Sequence, residues 1–244
     1  MAENSSLGDR MKAYEAVTKT SLVPRMPFII RVDGKAFHTY TRNLSRPFDS
    51  NFESVMDHVA LKLCDQIQGA VLAYIQSDEI SILGYSYRRF SSQCWFGGEV
   101  QKMVSVSAAI ASSEFTARSG VMWEGSIKPA CFDSRVFVVP EGEVVNYFVW
   151  RQQDAVRNSI QSLAQSLYSH KELHKKNSSE LQEMCFQKGH NWNDLTTRQR
   201  RGRCVKKLDR TEEGVRPHWG VDSDIPRFGQ DREYISTLLV VEDE

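Results

Sequence analysis

Residues 69–85, GAVLAYIQSDEISILGY, contain two apolar runs separated by the polar triplet Ser77-Asp78-Glu79. Short apolar runs around a polar break are typical of a β-hairpin, so this stretch predicts two antiparallel strands joined by an acidic turn. An earlier apolar run over 27–32 predicts another strand, which ends at Asp33 and Gly34. A fourth strand is predicted over SRVFVVP, residues 134–140.

Two helical segments lie between these strands. Apolar residues recur at helical spacing over 51–67, where Asp49 or Ser50 can cap the helix, and a second helix is predicted over 99–118. The order is therefore β-α-β-β-α-β. In the split form of this unit the third strand lies beside the first and runs antiparallel to it. The start of strand three then lies beside the end of strand one.

This topology predicts a group of acids at one edge of the sheet, with Asp33 close to Asp78 and Glu79. Carboxylates that lie close together repel one another unless a cation neutralises them. Mg²⁺ commonly takes one or two carboxylates together with substrate phosphates, and two such ions about 3.5–4 Å apart can serve phosphoryl transfer. Gly34 would let a carbonyl or a phosphate approach closely. The alternative is that the two hairpin acids form a solvated turn.

The composition is that of a soluble globular protein, with 41% hydrophobic and 25% charged residues and a formal net charge of zero. No apolar run is long enough to span a membrane, so no membrane partner is expected. The five cysteines are widely spaced without a C-x-x-C pair, which favours reduced thiols and a cytoplasmic location. The length of 244 residues is enough for one large domain or two small ones, and we expect a single domain over 1–244.

The ends of the chain are more polar. A helix is predicted over 7–20 after Ser5-Ser6, another over 141–170, and a last strand over ISTLLVVE, 235–242. The stretch RQRRGRCVKK, 198–207, holds six basic residues and no acid. Such clusters neutralise RNA phosphates in a salt-dependent way, although a solvated loop is the alternative.

Four segments taken in order, RVDGKAFH (31–38), QSDEISIL (76–83), FDSRVFVVP (132–140) and WRQQDAVRNS (150–159), resemble the tRNA(His) guanylyltransferase family. The family includes guanylyltransferase-like 3′–5′ RNA polymerases, and the resemblance runs from about residue 8 to residue 207. It implies an α+β fold with a polymerase/cyclase-type palm, whose core spans about 25–140. A C-terminal helical and basic extension would span about 141–244. It further implies two Mg²⁺ ions, tRNA, ATP, GTP and other nucleoside triphosphates as partners, and a homotetramer.

The resemblance also implies roles for individual residues. The metal ligands would be Asp33, the carbonyl of Gly34, and Asp78, with Glu79 as a second catalytic acid. Nucleotide-binding residues would be Lys35, Ala36, Phe37, His38, Arg46, Ser77, Asp78 and Lys102. Residues expected to bind tRNA are Arg135 and Asn158, together with five residues of the basic stretch described above, namely Arg198, Arg200, Arg201, Arg203 and Lys206. Surface charges and, for His38, a core position are the alternatives for these side chains.

One stretch departs from the family. Eukaryotic tRNA(His) guanylyltransferases carry His-Ile-Asn-Asn-Leu-Tyr-Asn after the W-R-Q-x-D motif, whereas VRNSIQS, 156–162, keeps only Asn158 in register. Bacterial and archaeal-type members share this loss. We therefore expect template-dependent repair of 5′-truncated tRNA in the 3′–5′ direction, with a dedicated tRNA(His) guanylyltransferase as the alternative. A nucleotide cyclase and a non-catalytic RNA-recognition module are weaker alternatives, since the central strands lack the aromatic residues of the latter.

Overall fold

The fold is built on an antiparallel sheet, as the sequence predicts. A computed structural model describes residues 6–123, 128–208 and 217–242. Its strands are β1 (Phe28–Gly34), β2 (Ala70–Gln76), β3 (Glu79–Gly84), β4 (Phe132–Val138), β5 (Arg203–Leu208) and β6 (His218–Asp222). They lie in the order β4-β1-β3-β2-β5-β6, and all neighbours are antiparallel. β3 fills the gap between β1 and β2, which confirms the split β-α-β-β-α-β unit.

The helices of the described residues surround this sheet. They are α1 (Leu7–Ala16), α2 (Phe37–Tyr40), α3 (Ser50–Gln66), α4 (Val100–Met122), α5 (Glu141–Leu167), α6 (His170–Leu173), α7 (Ser178–Gln187), α8 (Thr197–Arg201) and α9 (Glu233–Ser236). Short 3₁₀ turns cover Trp95–Gly98 and Trp192–Asp194. Side chains of Ser6 and Asp49 cap α1 and α3 as predicted, although α1 ends before residue 20. None of these helices combines the length and the apolar character needed to cross a bilayer.

The two faces of the sheet are covered differently. Along β1, Phe28, Ile30 and Val32 belong to the apolar cluster under α3 and α4, whereas Ile29 belongs to the cluster under α5. Side chains of a strand alternate between faces, so Asp33 lies on the α5 face. This face is polar near the acidic edge, and it is the face where the functional side chains are found.

The C-terminal extension is not a separate layer, because β5 and β6 extend the palm sheet beyond β2. The second half of RQRRGRCVKK belongs to β5 rather than to a solvated loop, and β6 was not predicted. The strand predicted over 235–242 is wrong. α9 covers the start of that run, Ile235 is buried, and Leu238 and Leu239 pack on the cluster under α5. Burial of these apolar side chains replaces strand pairing.

Candidate active site

Acids of three neighbouring strands meet at one edge of the sheet. The Cα atom of Asp33 in β1 lies opposite that of Glu79 in β3 and that of Asp133 in β4. Asp78 lies in the turn just before β3, and its carbonyl accepts a 3.2 Å hydrogen bond from the N–H of Gly34. The predicted meeting of the end of strand one with the start of strand three is therefore confirmed.

Electrostatics at this edge favour the binding of a cation. Burial, together with the carboxylate charges of Glu79 and Asp133, raises the pKa of Asp33 above its ordinary value. Burial raises the pKa of Asp78 to about 6, despite hydrogen bonds from its own backbone and from the side chain of Ser77. A divalent cation lowers both the cost of burying these carboxylates and the repulsion between them, because it supplies the opposite charge.

Gly34 is required by the packing around it. A Cβ atom at this position would lie 2.3 Å from Cδ2 of Phe37. The ring of Phe37 is buried against Phe52, Phe115 and Phe132, so it cannot move aside. The structure therefore gives Gly34 a packing reason, and the close approach of a carbonyl or a phosphate stays a prediction.

The segment after β1 turns sharply away from the sheet. The N–H of Lys35 donates a 2.8 Å hydrogen bond to the carbonyl of Cys131, and Ala36 has a left-handed backbone (φ 56°). The side chains of Lys35, Ala36 and His38 are exposed. Phe37, predicted in the nucleotide-binding segment, points into the core and contributes only part of the floor of the adjoining cleft.

A cleft of about 370 Å³ opens beside Asp78, between the acidic edge of the palm and the C-terminal helices. A volume of this order suits a small-molecule site. The cleft brings together several of the predicted side chains. Those that line it are Phe37, His38, Arg46, Ser77, Asp78, Asn158, Arg198 and Arg203. Gln161 and Ser162, from the stretch that departs from the family motif, also line it.

Glu79 has a structural partner that the sequence reasoning missed. Nε and Nη2 of Arg151 in α5 donate to its two carboxylate oxygens at 2.8 and 2.9 Å. Gln76 donates a third hydrogen bond, at 3.0 Å. With its oxygens occupied and buried, Glu79 clamps α5 to β3, which corrects its predicted role as a catalytic acid. Arg151 is the arginine of the W-R-Q-x-D motif, so this motif could have pointed to it from the sequence.

The next residue of that motif, Gln152, fixes the C-terminal segment in the same way. Its side chain donates to the carbonyl of Pro226 and accepts from the N–H of Phe228, both at 2.9 Å. Arg151 thus attaches β3 to α5, and Gln152 attaches the segment 226–228 to the same helix. This attachment positions α5 as a wall of the cleft.

Two of the predicted tRNA-binding arginines are instead paired with acids of α3. Arg198 forms 2.9 Å ion pairs with Glu53 and with Asp57. Arg203 pairs with Asp57, donates to the carbonyl of Glu53 at 2.8 Å, and is only 2% exposed. Arg203 therefore cannot reach a tRNA phosphate, and its predicted role is corrected to a buried link between β5 and α3.

Lys102 lies away from the cleft. Ser107 of α4 contacts Ser134 of β4 through their hydroxyls at 2.7 Å, and Ser112 accepts from the N–H of Phe132 at 3.0 Å. α4 therefore runs towards the acidic edge, and its first turn, with Lys102, lies at the opposite end of the sheet. Its predicted role in nucleotide binding is corrected by this placement.

Two other predicted tRNA contacts are exposed or paired locally. Arg135 lies on β4 next to the acidic edge, where it forms an exposed 3.0 Å ion pair with Asp133. Lys206 pairs with Asp222 at 3.1 Å and lies over the ring of Tyr234. Both stay predictions, and only Arg135 is near the cleft end of the sheet.

The donors at the acidic edge fit a divalent metal ion. Within residues 6–123, 128–208 and 217–242, no three or more His, Cys, Asp or Glu side chains are arranged around a common centre. A site here would therefore use the two carboxylates of Asp33 and Asp78 and backbone oxygen such as that of Gly34. This hard-oxygen set, completed by substrate phosphates, is the kind that suits Mg²⁺.

An antiparallel palm sheet with acids at its edge beside a cleft of nucleotide size defines an enzyme of the phosphoryl-transfer class. The model of a single family, described as tRNAHis guanylyltransferase (Thg1), matches residues 8–140. This span exceeds half of the chain, and the chain belongs to that family, whose members are nucleotidyltransferases. Three of the four segments lie within this span, and the resemblance to the family is therefore confirmed.

Solved structures are similar over almost the whole chain. A bacterial tRNA(His) guanylyltransferase-like protein in complex with ATP is 41% identical, with a TM-score of 0.91 over 97% of this chain and 100% of that one. Such a protein in complex with GTP is 39% identical, with a TM-score of 0.82 over 96% and 99% of the two chains. A probable tRNA(His) guanylyltransferase of Drosophila melanogaster is 28% identical over 75% of this chain and 67% of its own. The palm fold is thereby confirmed.

Proposed function

We propose that this protein adds nucleotides to the 5′ end of tRNA in the 3′–5′ direction and repairs 5′-truncated tRNA on a template. The observation that carries the proposal is that the end of β1, with Asp33, meets the turn before β3, where Asp78 lines the cleft. Phosphoryl transfer depends mainly on positioning and charge neutralisation. The bacterial relatives bound to ATP and to GTP support nucleoside triphosphates as substrates.

Two Mg²⁺ ions would be held by Asp33, Asp78 and the carbonyl of Gly34. When bound, they supply charge neutralisation to the attacking and leaving oxygens. The chain itself provides the rest of the site. Exposed Arg46 and His38 line the cleft where they can bind a triphosphate, and the hydroxyl of Ser77 lies beside them. The α5 wall, fixed by its clamp to β3, restricts how the RNA end can enter.

The wall also bears on substrate choice. Asn158, Gln161 and Ser162 face the cleft, so the loss of the Asn-rich family motif changes side chains that a bound RNA end would meet. An enzyme devoted to one untemplated guanosine needs contacts specific to tRNA(His). A repair enzyme needs only a paired template base to align the reacting 3′-hydroxyl, and a misalignment of about 1 Å can cost about 10²-fold in rate.

The test of metal binding uses three single variants. Asp33→Asn and Asp78→Asn should each abolish nucleotide transfer with Mg²⁺ while the protein stays folded. Asp65→Asn is the matched control, because this acid of α3 is exposed and lies outside the cleft, and it should transfer nucleotides as the wild type does. Near-normal transfer by either of the first two variants would refute the metal assignment.

Template dependence is tested with a tRNA that lacks its first 5′ nucleotide, made with each of the four bases opposite the gap. Incorporation should follow the complementary base in all four, and on tRNAs other than tRNA(His). Guanosine entering regardless of the opposing base would identify a dedicated guanylyltransferase. Formation of cyclic nucleotide from ATP or GTP without tRNA would identify a cyclase.

The assembly and location are further parts of the proposal. All five cysteines are free, which supports a reducing compartment such as the cytoplasm. α1 buries none of its residues and exposes Leu7, Met11 and Tyr14 at helical spacing. This stripe supports self-association, for which we propose a homotetramer. Light scattering should give four times the chain mass, and a monomer mass would contradict it.

A further inference from the structure

A second cavity lies on the other side of α5 from the active-site cleft. Its volume is about 560 Å³. Four arginines from three segments of the chain share this cavity with one aromatic ring. They are Arg157, Arg200, Arg201 and Arg227, with Trp192. Among the described residues no Asp or Glu side chain lines it. The RQRRGR stretch is thus divided, since Arg198 and Arg203 line the cleft and Arg200 and Arg201 line this cavity.

Arg200 has no anionic partner among the residues that the structure describes. Its guanidinium lies 5.7 Å from the centroid of the Trp192 ring, and the indole N–H of Trp192 donates to Ser159 at 2.9 Å. The Nε atom of Arg200 is buried and has no hydrogen-bond partner in the described part of the chain. A buried donor without a partner is costly. Because Arg200 also lines the cavity, an anion there would meet a guanidinium that no acid of the described residues neutralises.

The other arginines add positive charge that the protein compensates only in part. Burial, followed by the charges of Arg200 and Arg227, lowers the pKa of Arg201. Nε of Arg201 donates only to the carbonyl of Ile225, at 3.0 Å. Arg157 is the one member with an ion pair in the described residues, at 2.9 Å to Asp154. Like charges held together are unfavourable, and an anion in the cavity would remove this cost.

We propose that this cavity binds backbone phosphates of the RNA substrate at a site separate from the active-site cleft. The inference rests on the proposed function. The planar guanidinium fork suits the bidentate binding of phosphate. One helix, about 10–12 Å across with its side chains, separates the cavity from the cleft. An RNA strand whose 5′ end enters the cleft can therefore cross α5 and reach the arginines.

The test compares two double variants at the cavity. Arg200→Gln/Arg227→Gln removes two charges, and Arg200→Lys/Arg227→Lys keeps them. Binding of tRNA to the full chain is measured over a range of NaCl concentrations. The Gln variant should bind more weakly, and its log K against log salt slope should fall by about 1.4–1.8, which corresponds to two phosphate contacts. The Lys variant should keep most of the wild-type slope.

The matched control is Lys62→Gln/Lys171→Gln, which removes two exposed charges outside both cavities. It should leave the slope near the wild-type value. Binding of ATP and of inorganic pyrophosphate is measured in parallel without tRNA, and it should be unchanged in the Gln variant. A wild-type slope for the Gln variant, an equal loss in the control, or a loss confined to ATP or pyrophosphate would overturn the proposal.

Transfer activity of the wild-type enzyme separates this inference from the proposed function. RNA binding is measured directly and does not require catalysis. If the wild type transfers no nucleotide to tRNA but the slope falls as expected, the proposed function fails and the RNA site stands. If transfer is normal and the slope is unchanged in the Gln variant, the RNA site fails and the proposed function stands.

Discussion

Arg151→Met should strongly destabilise the protein. Arg151 and Glu79 form two hydrogen bonds at 2.8 and 2.9 Å, and their side chains are 8% and 11% exposed. Removing one partner of a buried ion pair costs about 3–5 kcal/mol, because the other charge stays buried. Gln76 still donates to Glu79 at 3.0 Å, which favours the lower part of this range. At about 2–4 °C per kcal/mol for a chain of this size, Tm should fall by about 10 °C.

Urea and thermal unfolding measure this effect, and two further variants isolate its cause. Lys176→Ala breaks an exposed pair with Glu180, so it should cost little stability. Glu79→Gln combined with Arg151→Met removes both buried charges and should recover much of the lost stability. Equal stability of Arg151→Met and Lys176→Ala, or a double variant no more stable than the single one, would contradict this prediction.

Three other predictions concern separate parts of the molecule. Gly34→Ala should lower the free energy of unfolding by about 1–3 kcal/mol, because its Cβ would overlap the Phe37 ring; an unchanged urea midpoint would contradict this. Lys102→Ala should leave KM for the nucleoside triphosphate unchanged, and a tenfold rise in KM would show that Lys102 does bind the nucleotide. Although burial opposes it, the hydrogen bond from Tyr234 helps to hold the pKa of Asp222 below its ordinary value. Asp222→Asn should therefore lower the free energy of unfolding at pH 7, and this difference from the wild type should shrink below about pH 4. A difference that does not change with pH would contradict a role for the ionised carboxylate.

Much of the palm could be predicted because strands carry a local signal. β1, β2 and β3 read as apolar runs with defined ends, and the order of strands and helices restricts the topology to few arrangements. The acidic edge follows from that topology alone, since antiparallel strands bring Asp33 opposite the start of the hairpin's second strand. The strand predicted over 235–242 was wrong. Its residues have the composition of a strand, and only their packing on the apolar cluster under α5 shows that they are buried there instead of pairing with another strand.

The amino-acid sequence was enough to predict the four strands β1–β4, the positions of Asp33, Gly34 and Asp78 at one edge, and the membership of a nucleotidyltransferase family. These depend on residue order, which hydrophobic period and short motifs encode directly. Only the folded structure shows which charged side chains are paired with others and which are open to a ligand. Glu79 is occupied by Arg151, and RQRRGR, 198–203, is divided between a buried ion-pair network and an open cavity. The physical reason is that a charged side chain takes its role from burial and partners, and those partners lie far apart in the chain.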